Sequence, residues 1–105
     1  MKKSSEKIDI ISHIQAEDTF ILYCYAPICA NCRIAEKMLD VVAEMKSFSY
    51  TAVDLNYEKE LIERYQIRSA PALLLFKNGE LKEEIYAFQS VPHLTEKLEE
   101  FFVDV

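Results

Sequence analysis

Residues 19–26, TFILYCYA, are apolar or aromatic at nearly every position, odd and even alike. Side chains along a strand alternate between its two faces, so such a run is stable only where both faces are covered. It therefore predicts a strand buried inside a sheet, with other layers packed above and below it. The run is far too short to span a bilayer, and no membrane partner is expected. Pro27 stops it.

The segments on either side follow a different period. Ile8, Ile11 and Ile14 at threefold spacing predict a short amphipathic helix over residues 5–17. Residues 29–45 carry Ala35, Met38, Leu39, Val42 and Met45 at helical spacing and predict a long helix. SYTAVDL, residues 49–55, reads as a second buried strand, and YEKELIERY, residues 57–65, as a helix with Leu61, Ile62 and Tyr65 inward. A third strand covers residues 72–77, and Asn78-Gly79 between it and residues 80–87 is a strong hairpin signal. The last helix follows Ser90, tolerates Pro92 in its first turn and lines up Val91, Leu94, Leu98 and Phe101. Helices between the early strands predict parallel crossovers, and the late hairpin adds antiparallel pairing. The class is α/β, a central mixed β-sheet flanked by helices on both faces.

A length of 105 residues suits one domain, residues 1–105, with its own core. With 50% hydrophobic and 29% charged residues, one Gly and three Pro, neither disorder nor low complexity is expected. The formal net charge of −6 argues against nucleic acid as a partner, because that affinity rests on Lys and Arg neutralising phosphates. The opening MKKSSEK resembles the basic start of a signal peptide, but Asp9, Ser12, His13 and Gln15 interrupt the apolar core such a peptide needs next. The expectation is a soluble, cytoplasmic protein. Three cysteines in a reducing compartment are too few, and odd in number, for a disulfide scaffold.

Cys29 and Cys32 stand three positions apart in YAPICANCR, at the start of the long helix. Positions i and i+3 share one side of a helix, so the spacing permits a small reversible disulfide. Unpaired N–H groups and the macrodipole at a helix N-terminus favour a thiolate, lowering a thiol pKa from about 8.5 towards neutrality. Cys29, nearer the helix start, is then the attacking thiol, and Cys32 the resolving one. Arg33 either adds positive potential beside the sulfurs or is a solvated surface charge. Two other readings compete. A structural zinc site needs four ligands, and beyond the pair the chain offers only Cys24, His13 and His93. Alternatively both thiols are inert small hydrophobes.

Taken with the later IRSAPALLLFKNGE, residues 67–80, the Cys pair makes the chain resemble the thioredoxin family along essentially its whole length. That resemblance implies the thioredoxin fold and a proline facing the disulfide, which maps onto Pro71 with a cis Ala70–Pro71 bond. It further implies that Ala70 and Pro71 bind extended substrate backbone. Tyr25 and Ile28 hold positions usually occupied by tryptophans and are expected to form an apolar collar around the thiols. With Ala30 and Asn31, they complete the expected substrate-binding set.

The chain departs from the family pattern in ways that bear on its chemistry. Ala30-Asn31 replaces the usual Gly-Pro between the thiols, which changes the helix start and hence the reduction potential. Tyr23 stands where many thioredoxins bury an Asp that assists the resolving sulfur, and Ala52 replaces the lysine often paired with it. A phenol of pKa near 10 is a poor base at neutral pH, which leaves water, another carboxylate, or a slow resolving step. Cys24, inside the buried strand, is expected to fill the core, with a third redox thiol as the alternative. His13, His93 and the acidic Glu96, Glu99 and Glu100 are expected to face water.

The resemblance implies a thiol-disulfide oxidoreductase acting as a reductase in cell redox homeostasis on protein or low-molecular-weight disulfides, itself reduced by a flavin-dependent thioredoxin reductase. A non-catalytic binding module using the groove by Pro71, or a monothiol-type enzyme acting on mixed disulfides, are the alternatives. No cofactor or metal is expected, and the chain is expected to act as a monomer.

Overall fold

The computed structural model describes residues 9–103. In chain order the elements are α1 Ile10–Ala16, β1 Thr19–Tyr25, α2 Ala30–Lys46, β2 Thr51–Asp54, a short 3-10 helix Leu55–Tyr57, α3 Lys59–Tyr65, β3 Ala72–Lys77, β4 Glu80–Ile85 and α4 Val91–Val103. The four strands form one mixed sheet in the order β2-β1-β3-β4. The run that is apolar on both faces is β1, paired on either side, with Phe20, Ile21, Leu22, Tyr23 and Cys24 all buried.

Alternation along the strands builds two cores. Ile21, Tyr23, Leu73, Leu75 and Ile85 face the layer of α2 and α4, where Ala35, Leu39, Val42, Leu94, Leu98 and Phe101 meet them. Phe20, Leu22, Cys24, Ala72, Leu74 and Phe76 face the other layer, against Ile10 and Ile14 of α1 and Leu61 of α3. Each fully buried leucine contributes about 1.5–3 kcal/mol relative to an exposed one.

Local chemistry sets the element ends. Asp9 caps α1, its Oδ1 accepting the Ser12 N–H at 3.2 Å. Ser90 caps α4, its Oγ accepting the His93 N–H at 3.2 Å. Asn78 and Gly79 both have positive φ, 52° and 85°, the geometry that two-residue hairpin turns require and that glycine adopts without cost. The Asn78 N–H also donates to the Asp18 carbonyl at 2.8 Å, fixing the hairpin to the start of β1.

Several expectations are corrected. β1 and β2, joined through α2, are parallel as predicted, but β3 lies on the far side of β1 and runs against it. The seven-residue α3 is only about 10 Å long, and the chain enters β3 at the end of the sheet where β2 left it. β2 is shorter than residues 49–55 and only its Val53 is buried, because it is an edge strand with one neighbour. β4 ends at Ile85 rather than residue 87. The first helix starts at Ile10; it buries Ile10 and Ile14, with Ile11 half-buried, because a helix repeats every 3.6 residues. Ile8 lies outside the described residues. Met45 is 56% exposed, sharing an outer flank of α2 with Ile34 and Val41. In α3, Leu61 is buried, while Ile62 and Tyr65 are half-buried against the same core.

Candidate active site

The strand register gathers the predicted residues at one end of the sheet. Tyr25 pairs with Asp54 at the close of β2, and Cys24 pairs with Ala72 at the opening of β3. The loop from β1 to α2, the end of β2 and Pro71 therefore share one edge. Cys29 is the N-cap of the 17-residue α2, in extended backbone geometry, and its side chain makes no capping hydrogen bond. Cys32 lies in the first turn and donates its N–H to the Cys29 carbonyl at 3.1 Å. The two cysteines are joined by a disulfide, their Cα atoms 5.3 Å apart. Cys29 is half-buried, whereas Cys32 is only 5% exposed.

At this end of the sheet Ala30 and Asn31 are exposed, Tyr25 and Ala70 are half-buried, and Pro71 is half-buried just before β3. The Ala70–Pro71 peptide is cis, as the resemblance implies. Ile28 is 98% exposed, so it does not pack into a collar but projects into solvent beside Cys29. Arg33 is exposed, His13 is exposed beside Glu17 at 3.4 Å, and His93 is half-buried rather than solvated. Glu96, Glu99 and Glu100 are all exposed, as expected, with Glu99 paired to Lys46 across α2 and α4. Among the described residues, no three His, Cys, Asp or Glu side chains gather as metal donors. No described helix is long and apolar enough to cross a membrane.

Tyr23 supplies a contact that the sequence did not announce. It is fully buried, and its hydroxyl donates to the Cys32 carbonyl oxygen at 2.6 Å. Strand alternation is the signal that would have found it, because positions 23 and 25 face the α2 layer together. Their rings stack at 6.3 Å, and Tyr50 meets Tyr23 edge-on at 6.2 Å. The Tyr50 hydroxyl donates to Asp40 Oδ1 at 2.5 Å. Burial first, and then the charges of Glu36 and Asp40 among others, push the Tyr23 phenol well above its ordinary value. Tyr50 is pushed up by burial and by its bond to Asp40, and Tyr25 by burial with Asp54 and Glu36.

Alternation also removes Cys24 from the site. One position along from Tyr23, it points into the opposite core, where burial, with Glu58, pushes its thiol up to about 12. A thiol held neutral in an apolar layer is inert at neutral pH.

The thioredoxin family model matches residues 4–100. The "Thioredoxin-like protein YusE" of Bacillus subtilis is 41% identical over 91 residues, covering 86% of this chain and 85% of that protein. A thioredoxin of Mycoplasmoides gallisepticum is 25% identical over 99 residues, covering 93% of this chain and 99% of its own length. Among solved structures, a mutant thioredoxin from Halobacterium salinarum superposes with a TM-score of 0.78 at 24% identity, over 95% of this chain and 88% of that one. That likeness carries the fold alone. With the family match spanning nearly the whole length, and with a disulfide at a helix mouth on the same end of the sheet as a cis proline, the chain belongs to the thioredoxin family.

Proposed function

We propose that the protein is a thiol-disulfide oxidoreductase that works as a reductase through Cys29 and Cys32. The observation that carries this reading is the disulfide itself, bridging the N-cap and first turn of α2 with one half-buried and one buried cysteine. In the reduced state the helix N-terminus favours a Cys29 thiolate. That thiolate attacks a substrate disulfide; a Cys29–substrate S–S bond forms, and the first substrate thiolate leaves. Cys32 then attacks the Cys29 sulfur, the Cys29–Cys32 bond forms, and the second substrate thiolate departs. The dithiol loses two electrons and the substrate disulfide gains them.

Exposed Ile28, Ala30 and Asn31, with Tyr25, Ala70 and Pro71 along the same edge, form the surface on which an extended disulfide-bearing segment would lie. Protein and low-molecular-weight disulfides are the substrates in this reading, a flavin-dependent reductase returns the electrons, and the cytoplasm is the compartment. The test is insulin reduction with a chemical reductant, together with the two single serine variants. Turnover by the native chain, loss in Cys29→Ser and a trapped mixed disulfide in Cys32→Ser are expected. Equal turnover in Cys29→Ser and the native chain would sink the assignment.

A further inference from the structure

Resolution of the mixed disulfide requires a proton acceptor for Cys32, because the thiolate and not the thiol attacks sulfur. Cys32 is 5% exposed, and burial disfavours its charged form. The buried phenol beside it does not serve. The Tyr23 proton is directed at the Cys32 carbonyl, and Tyr23 is pushed further from the range in which a phenol takes up protons at neutral pH. Cys24 faces the opposite core, and Ala52, beside Tyr23 in the register, has no ionisable group.

Glu36 follows Cys32 by four residues in α2, one turn along the same flank. Helical side chains lean towards the N-terminus, so a glutamate one turn after Cys32 is within reach of it. It is half-buried, while its helix neighbours Lys37 and Asp40 are exposed. The three phenols packed at this end all feel its charge, Tyr23 and Tyr25 from β1 and Tyr50 from the approach to β2. Three carboxylates act on that cluster: Glu36, Asp40 and Asp54. Asp40 is held by the Tyr50 hydroxyl, and Asp54 accepts the Asn56 N–H at 2.9 Å. Glu36 alone of the three accepts no side-chain hydrogen bond among the described residues. Arg33, three residues before it, is the cation of the same helix flank.

We propose that Glu36 is the proton acceptor for Cys32, directly or through one water, in place of a carboxylate on the central strand. This rests on the oxidoreductase reading above. Glu36 takes the Cys32 thiol proton; the Cys32 thiolate attacks the Cys29 sulfur; the Cys29–substrate bond breaks as the Cys29–Cys32 bond forms. The departing substrate thiolate recovers the proton from Glu36 or from solvent. Two electrons pass from the dithiol to the substrate, and no further reactant is needed.

The reduced chain, mixed rapidly with one equivalent of 5,5′-dithiobis(2-nitrobenzoate), separates the steps. Attack by Cys29 releases a first thionitrobenzoate, and resolution by Cys32 releases a second. Glu36→Gln should leave the first phase within about twofold and slow the second by about tenfold or more at pH 7, the scale of general base catalysis. The deficit should close as pH rises towards about 10 and hydroxide ionises the thiol unaided. Glu36→Asp should recover part of the rate. A purely electrostatic Glu36 gives the opposite sign: removing its charge would ease ionisation of Cys32 and speed the second phase. A second phase in Glu36→Gln as fast as, or faster than, the native one at every pH overturns the proposal, as does equal slowing of both phases. A native chain that releases no second thionitrobenzoate overturns the oxidoreductase reading instead, so the two failures are distinguishable.

Discussion

The Tyr23 hydroxyl donates to the Cys32 carbonyl across 2.6 Å and so ties the central strand to the first turn of α2, the turn that carries one half of the disulfide. At the position where the family resemblance leads one to expect a buried carboxylate, Tyr23 braces the helix start without offering a base.

Tyr23→Phe should therefore cost stability rather than chemistry. The Cys32 carbonyl has a second lone pair for its helical partner, so deleting the hydroxyl leaves no orphaned acceptor, and the loss should be about 1 kcal/mol. For a domain of this size that lowers the melting temperature by about 4–8 °C. Thermal unfolding checks the shift, and insulin reduction within about twofold of the native rate checks that the phenol carries no proton.

Stability should fall in alkali. The folded Cys24 thiol is raised to about 12, and Tyr23, Tyr25 and Tyr50 are raised above the ordinary phenol value, all chiefly by burial. A raised acid keeps its proton in the folded state while the unfolded chain has lost it, so folding binds more protons and ΔG of unfolding drops with pH. The decline should begin near pH ~8.5 through Cys24 and steepen above about 10 as unfolded phenols ionise. Urea midpoints at pH 7, 9 and 10.5 measure it; a flat profile would contradict the burial of these groups. At pH 8, iodoacetamide should label Cys24 only after unfolding.

Ile28 should matter for substrates and not for folding. At 98% exposure it packs against nothing, so Ile28→Ser should change stability by less than about 0.5 kcal/mol. If the residue anchors substrate beside Cys29, KM for insulin should rise about fivefold, roughly 1 kcal/mol of lost apolar contact, with kcat nearly unchanged. An unaltered KM would remove Ile28 from the binding surface.

The two faces of α2 should respond differently to truncation. Leu39→Ala empties a fully buried site and should cost about 2–5 kcal/mol, whereas Met45→Ala, on the exposed flank, should cost less than about 1 kcal/mol. Urea unfolding of the pair decides whether the inner face is placed correctly.

Much of the architecture was readable from local pattern. The doubly apolar run became the interior strand β1, Asn78-Gly79 became the hairpin, and Leu94, Leu98 and Phe101 became the buried stripe of α4. The Cys29–Cys32 spacing placed a disulfide at a helix start, and likeness to a family placed the cis bond before Pro71. The misplacements share one cause. Met45 falls at the margin of the helical stripe, on the flank it shares with exposed Ile34 and Val41, and β2 looks interior until its missing neighbour is known.

What this chain settles alone is whatever depends on residues a few positions apart: periodicity, turn geometry, caps and the reach of one sulfur to another. Which face of β1 meets α2, that β3 runs against β1, that Tyr23 reaches the Cys32 carbonyl and that Cys24 turns away from the disulfide were decided only when distant segments packed together. Backbone and rotamer preferences act within a turn or two, whereas burial, hydrogen-bond partners and the electrostatics they create belong to neighbours supplied by the fold.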